Sequence, residues 1–95
     1  VENFDPDPQV RGYVFVRLAD HLLAEIAESR ITVGARLANE REMARTYGVG
    51  IGTVRRSLEL LRERGIVETY PSKGTFVIAT TPIDDSDDAG ARRTR

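Results

Sequence analysis

Residues 39–61 read NEREMARTYGVGIGTVRRSLELL, and this stretch decides the fold. Asn39 stands directly before a run of good helix formers, with Glu42 three residues on. The asparagine oxygen can accept from the third helical N–H while the glutamate reaches back to the Asn39 N–H, so a short helix is predicted from Glu40 to about Tyr47. Met43 and Ala44 face inward on it. Gly48 follows at once, the residue type that most easily takes the left-handed conformation past a helix end. Val49 is expected to plug the gap before a second helix, Ile51 to Arg64, which places Val54, Leu58 and Leu61 on one face at i, i+4 and i+7. Gly65 stops it. Two helices joined by a few residues with a glycine in the turn describe a helix-turn-helix.

The flanks complete the pattern. Upstream, Val14, Leu18, Leu22 and Ile26 recur every fourth residue with Phe15, Leu23 and Ala27 alongside, which predicts an amphipathic helix over 10–29. Gly34 and short apolar neighbours over 31–38 suit a turn and one short strand around Arg36 and Leu37. Downstream, Ile66 to Tyr70 and Thr75 to Ala79 read as strands joined by the turn Pro71-Ser72-Lys73-Gly74. The expected fold is mainly α with a small β-hairpin (α+β), a winged helix-turn-helix. Its expected divisions are a flexible N-terminal arm over 1–9, the winged domain over 10–79, and over 80–95 a disordered tail or linker to a further C-terminal domain. There is no internal repeat.

Composition narrows the function. With 95 residues there is room for one domain and a modest core, not for a deep catalytic cleft besides. Cysteine is absent, which excludes disulfides, thiolate metal sites and a thiol nucleophile. The sole histidine, His21, cannot build a metal site or a triad and is expected at the edge of the first helix's buried stripe. No phosphate loop, metal-ligand cluster or nucleophile–base pair is present, so neither an enzyme nor a cofactor is expected. No apolar run approaches the ~20 residues that span a bilayer, and the acidic start is no signal peptide; the expected location is the cytoplasm, away from membranes. The first residue is valine and not an initiator methionine, which leaves two expectations open: a processed or cut piece of something longer, or a naturally short protein.

The formal net charge of −1 looks wrong for a nucleic-acid binder, but it is unevenly placed. Glu2, Asp5 and Asp7 load the start, and Asp84, Asp85, Asp87 and Asp88 load the end. Between them, residues 9–83 carry eleven basic against eight acidic side chains, a net +3. All of the basic residues but Lys73 are arginine, whose planar fork suits phosphates and guanine edges. A sharper reading of Asp84–Asp88 is that it mimics phosphate and competes for the basic face.

At this point the residues show a resemblance. The blocks Gly34-Ala35-Arg36-Leu37-Ala38-Asn39-Glu40-Arg41-Glu42-Met43-Ala44, Tyr47-Gly48-Val49, Thr53-Val54-Arg55-Arg56-Ser57-Leu58, Leu61, Gly65-Ile66-Val67 and Gly74-Thr75-Phe76-Val77 resemble, in order, the GntR family of bacterial regulators over about residues 10–79. The resemblance implies a domain that binds double-stranded DNA at a pseudo-palindromic operator as a homodimer. It implies a repressor, released by a small-molecule effector when a C-terminal domain is present. Arg41 matches an arginine used on DNA, Thr53 a hydroxyl residue that contacts phosphate, and Arg55 an arginine that reaches base edges or phosphate. Gly74 matches the wing-tip glycine beside the minor groove, where Lys73 is placed to contact groove or phosphate. Arg56 is a candidate phosphate contact. Arg62 and Arg64 come late on the helix, where cations suit its C-terminus, and read as structural or solvated.

The departures fall at the start of the recognition helix. The family usually has Pro-Ser where this chain has Ala38-Asn39, and asparagine keeps the cap. It usually has Ser-Arg where this chain has Gly50-Ile51, followed here by Gly52. Loss of that arginine removes a guanine reader worth about 1–3 kcal/mol of discrimination. Ile51 can instead touch a thymine methyl, and Gly50 and Gly52 let the helix backbone approach DNA closely. The alternative reading is a protein–protein interaction module, which would display an exposed apolar patch in place of the Arg41, Thr53, Arg55 set.

Overall fold

The computed structural model describes residues 4–82, and the expectations placed on the acidic run 84–88 and the end of the tail lie outside them. The elements run α1 (Val14–Ala27), α2 (Glu40–Tyr47), α3 (Ile51–Glu63), β1 (Val67–Tyr70) and β2 (Gly74–Val77). This is the expected order of three helices and a hairpin.

α1 is shorter than the 10–29 expected from its apolar period. Residues 8–12 form a turn in which Gly12 has φ 93°, and Tyr13 caps the helix without a side-chain bond. At the other end Ser29 takes φ 67°, and the Arg30 N–H donates to the Glu25 carbonyl at 2.9 Å. Apolar spacing reports which face is buried, not where the backbone leaves the helix.

One core holds the elements together. Leu18, Leu22 and Ile26 of α1, Val54, Leu58 and Leu61 of α3, and Ile66, Val67 and Val77 of the wing are almost fully buried. Each of the larger side chains contributes about 1.5–3 kcal/mol by leaving water. Met43, Ala44 and Tyr47 seat α2 on the same core. Two polar side chains go inside with partners. Ser57 Oγ donates to the Phe15 carbonyl at 2.7 Å, so α3 approaches α1 through a small residue with its hydroxyl satisfied. Glu25 accepts from Arg30 Nε at 2.8 Å, with His21 Nε2 3.7 Å away. Arg30 holds the Glu25 carboxyl below its ordinary value against the opposing effect of burial.

The hairpin pairs Val67 with Val77, Glu68 with Phe76, Thr69 with Thr75 and Tyr70 with Gly74. The segment before α2 lies along the other edge of β2. Gly34 N–H donates to the Val77 carbonyl, Val77 N–H to Ala35, and Leu37 N–H to Thr75, at 2.8–3.0 Å. The strand expected around Arg36 and Leu37 is therefore a single bridge, Arg36 to Phe76, and the Gly34 and Leu37 N–H groups on either side of it are satisfied by the wing. The described part of the N-terminal segment lies on the helices. Phe4 packs edge-on to His21 and Tyr47, and Arg17 donates to the carbonyls of Asp5 and Asp7 at 3.1 and 2.9 Å.

Candidate nucleic-acid interface

The turn between α2 and α3 follows from three residues. Tyr47 is buried, Gly48 takes the left-handed conformation at φ 71°, and Val49 packs half-buried on the core while its N–H donates to the Ala44 carbonyl. A side chain at Gly48 would pay for that φ and would also press on Pro6, whose Cγ lies 3.3 Å from an added Cβ.

The two helix starts differ in kind. At α2, Asn39 Oδ1 accepts from the Glu42 N–H at 2.8 Å, with Glu40 and Glu42 in the first turn. This is one half of the expected capping box; no bond returns from the Glu42 side chain to the Asn39 N–H. At α3, Gly50 supplies no side-chain cap and the first turn holds no acid. Its positive end is left open, with N–H groups that have no partner inside the helix.

Around that open end the sequence-predicted residues take distinct places. Gly50 and Gly52 are exposed, neither has a positive φ, and a Cβ built on either meets nothing within 4 Å. Nothing inside the domain therefore requires glycine at these positions. Arg55 is well exposed and donates from Nε to Glu40 Oε1 of α2 at 2.8 Å. That bond joins the two helices and leaves both terminal nitrogens of the fork without a hydrogen-bond partner among the described residues. Arg41 is exposed on α2. Ile51 is half-buried and packs partly on the core, and Thr53, two residues on, is also half-buried. Arg56 lies elsewhere: its guanidinium sits 4.2 Å above the Phe15 ring, against α1.

The wing supplies the other wall. Ser72 and Gly74 take φ 68° and 122° in the turn that carries exposed Lys73. Between this turn and the start of α2 lies a groove of about 510 Å³ bordered by Arg36, Asn39, Glu40, Thr69, Lys73 and Thr75. The Arg36 stem packs on Gly74, where an added Cβ would lie 3.1 Å from Arg36 Cδ, and its Nη1 is 3.5 Å from the Lys73 carbonyl. Sequence reading missed Arg36 here, and missed Glu40 as the partner of Arg55. Their neighbours are far along the chain, and no local spacing signals them.

The chain matches the family described as "Bacterial regulatory proteins, gntR family" over residues 15–77. It belongs to the gntR family. The match runs from α1 through β2, so the gntR domain described here is the winged helix-turn-helix as a unit. Among curated relatives, the HTH-type transcriptional regulator SmoD of Agrobacterium fabrum is 37% identical over 68 residues, covering 72% of this chain and 29% of that protein. The putative HTH-type transcriptional regulator RmpR of Mycobacterium gastri is 40% identical over 63 residues, covering 64% of this chain and 23% of its own. The chain thus spans under a third of the length of these regulators. Among solved structures, Streptococcus agalactiae GntR superposes with a TM-score of 0.63 at 34% identity, covering 75% of this chain and 35% of that one. The family is one of bacterial regulatory proteins, and these curated relatives are named as transcriptional regulators. No helix among the described residues is long and apolar enough to cross a membrane.

Proposed function

We propose that this domain is the sequence-specific DNA-binding part of a bacterial transcriptional repressor, acting as a homodimer on a pseudo-palindromic operator. α3 enters the major groove by its N-terminal end, and the wing lies at the minor groove. Arg55 reads a base edge with its terminal nitrogens while Glu40 holds its Nε. Arg41, Thr53 and the open first turn of α3 take phosphates. Lys73 and Gly74 lie along the minor groove, and Arg56 serves the phosphate backbone if it leaves Phe15. Ile51 offers its exposed part to a thymine methyl. Where a further C-terminal domain is present, a small-molecule effector acts through it.

One observation carries this reading: a side chain at Gly50 or Gly52 would meet nothing within the domain, yet glycine at 50 supplies no capping oxygen and glycine at 52 weakens the helix it enters. Space kept clear at the end of a recognition helix, beside a free arginine fork, suits the close approach of a duplex. Domains of the same fold support it. The AraR DNA-binding domain, at a TM-score of 0.67 and 20% identity, has been solved in complex with operator ORX1.

The test is selection from random duplexes with the chain, followed by fluorescence anisotropy at low and physiological salt, with Arg55→Ala beside it. A recovered half-site, bound more weakly as salt rises and lost in the variant, is the expected result. A folded chain that binds no duplex even at low salt refutes it and leaves the interaction-module reading.

A further inference from the structure

A ribbon of two four-residue strands does not hold its own shape in water. The apolar core fixes the base of this one, and along the outer edge of β2 the Leu37 N–H bond to the Thr75 carbonyl at 2.8 Å holds the backbone one pair further out. Val67 and Val77 face each other inside the domain; the next pair outward on the same face is Thr69 and Thr75. There a polar chain replaces the apolar contact. Arg62 Nη1 on α3 donates to Thr69 Oγ1 at 2.7 Å, and the Thr69 and Thr75 hydroxyls lie 2.8 Å apart. With Thr69 accepting from the arginine, its own proton is available to Thr75, so one donor on the recognition helix ties both strands. On the opposite face the Arg36 stem packs against the wing-tip Gly74. The sequence reading left Arg62 as a solvated or dipole-matching cation; its bond to the wing gives it a different part.

We propose that Arg62 is a positioning residue which, through Thr69 and Thr75, fixes the wing tip relative to α3, so that base preference under the wing depends on a residue of the recognition helix. This rests on the DNA-binding reading above. The alternative is that Arg62 touches DNA itself. The two differ at Thr69, which has no charge to offer a phosphate. Thr69→Val keeps the β-branched shape and removes the acceptor.

The experiment uses the full chain and the duplex recovered by selection, with Thr69→Val, Arg62→Met and the double variant. Each single change is expected to weaken binding by about three- to tenfold, the span of one hydrogen bond. The double variant is expected to be no weaker than the weaker single variant, since both cut one link. Repeated selection with Arg62→Met should keep the positions read by α3 and lose preference at those under the wing. Binding unchanged by Thr69→Val, or a double variant weakened by the product of the two single losses, overturns the proposal. A second readout needs no DNA. Nitrogen-15 relaxation should show the Lys73 and Gly74 amides more mobile in both single variants than in the parent chain; unchanged mobility also overturns it. Should the parent chain bind no duplex, the DNA reading fails by itself, while the relaxation measurement still decides whether Arg62 holds the wing.

Discussion

Replacing Gly52 by alanine separates the fold's interest from the ligand's. Gly52 is a helical, exposed residue of α3, and a Cβ there meets no atom within 4 Å. In the free domain alanine adds no clash and removes the backbone entropy that glycine loses on folding. A helix interior gains about 1 kcal/mol from this exchange, and the first turn somewhat less, so about 0.5–1 kcal/mol is expected. For a domain of this size that raises the melting temperature by roughly 2–8 °C. On DNA the sign reverses. If the first turn of α3 lies against a base edge or sugar, the methyl takes space already filled, because carbon atoms pack no closer than about 3.5–4.0 Å. Affinity for the selected duplex should fall at least about tenfold, or ~1.4 kcal/mol. Thermal unfolding by circular dichroism and anisotropy titrations on one protein preparation read both effects. A variant that melts higher and binds equally well refutes the reasoning, since the space at Gly52 would then not be kept for a ligand. A lower melting temperature refutes the claim that the space is open.

Other changes probe single links. Asn39→Ala removes the oxygen that accepts from the Glu42 N–H and should cost about 1 kcal/mol in urea unfolding, with the slope unchanged. Ser57→Ala removes a second donor to the Phe15 carbonyl, which keeps its helical bond within α1, and should cost about 0.5–1.5 kcal/mol by the same measurement. The Glu25 carboxyl is held below its ordinary value by Arg30, so its contribution is present above the usual carboxylate range and is lost as pH falls through the lowered value. Arg30→Met leaves burial to push that carboxyl up, and the acid-unfolding midpoint followed by circular dichroism should move to higher pH; an unmoved midpoint would show that the pair does not stabilise the fold.

Much of the interface was legible because its signals are local. The α2 cap, the left-handed glycine at 48 and the apolar stripe of α3 each lie within a few residues of what they control; the glycine and the stripe stand as read, and the cap forms through Asn39 without the return bond expected from Glu42. The hairpin turn was legible for the same reason, although the strands begin and end a residue or two from where residue type alone placed them. Glu25 was not legible as an inside residue. It sits beside Ile26 on a helix face with polar neighbours, and only the return of Arg30 past the left-handed Ser29 makes its burial tolerable. Arg55, matched to a base or phosphate contact, and its neighbour Arg56, a candidate phosphate contact, part company in the fold: Arg56 turns to Phe15 and Arg55 to Glu40, since adjacent residues on a helix point about 100° apart.

The sequence alone determined the order of elements, the helix-turn-helix and the apolar stripes that enter the core, because period, capping and turn chemistry act over at most a few residues. Only the tertiary structure decided which charges meet. Arg55 reaches Glu40 on the preceding helix, Arg62 reaches Thr69 on the wing, and Arg36 lies on Gly74 at the start of β2. A long, flexible cation on a helix surface has many partners within its reach, and no local preference selects one. The packing of α3 between α1, α2 and the hairpin leaves each arginine the neighbour it has.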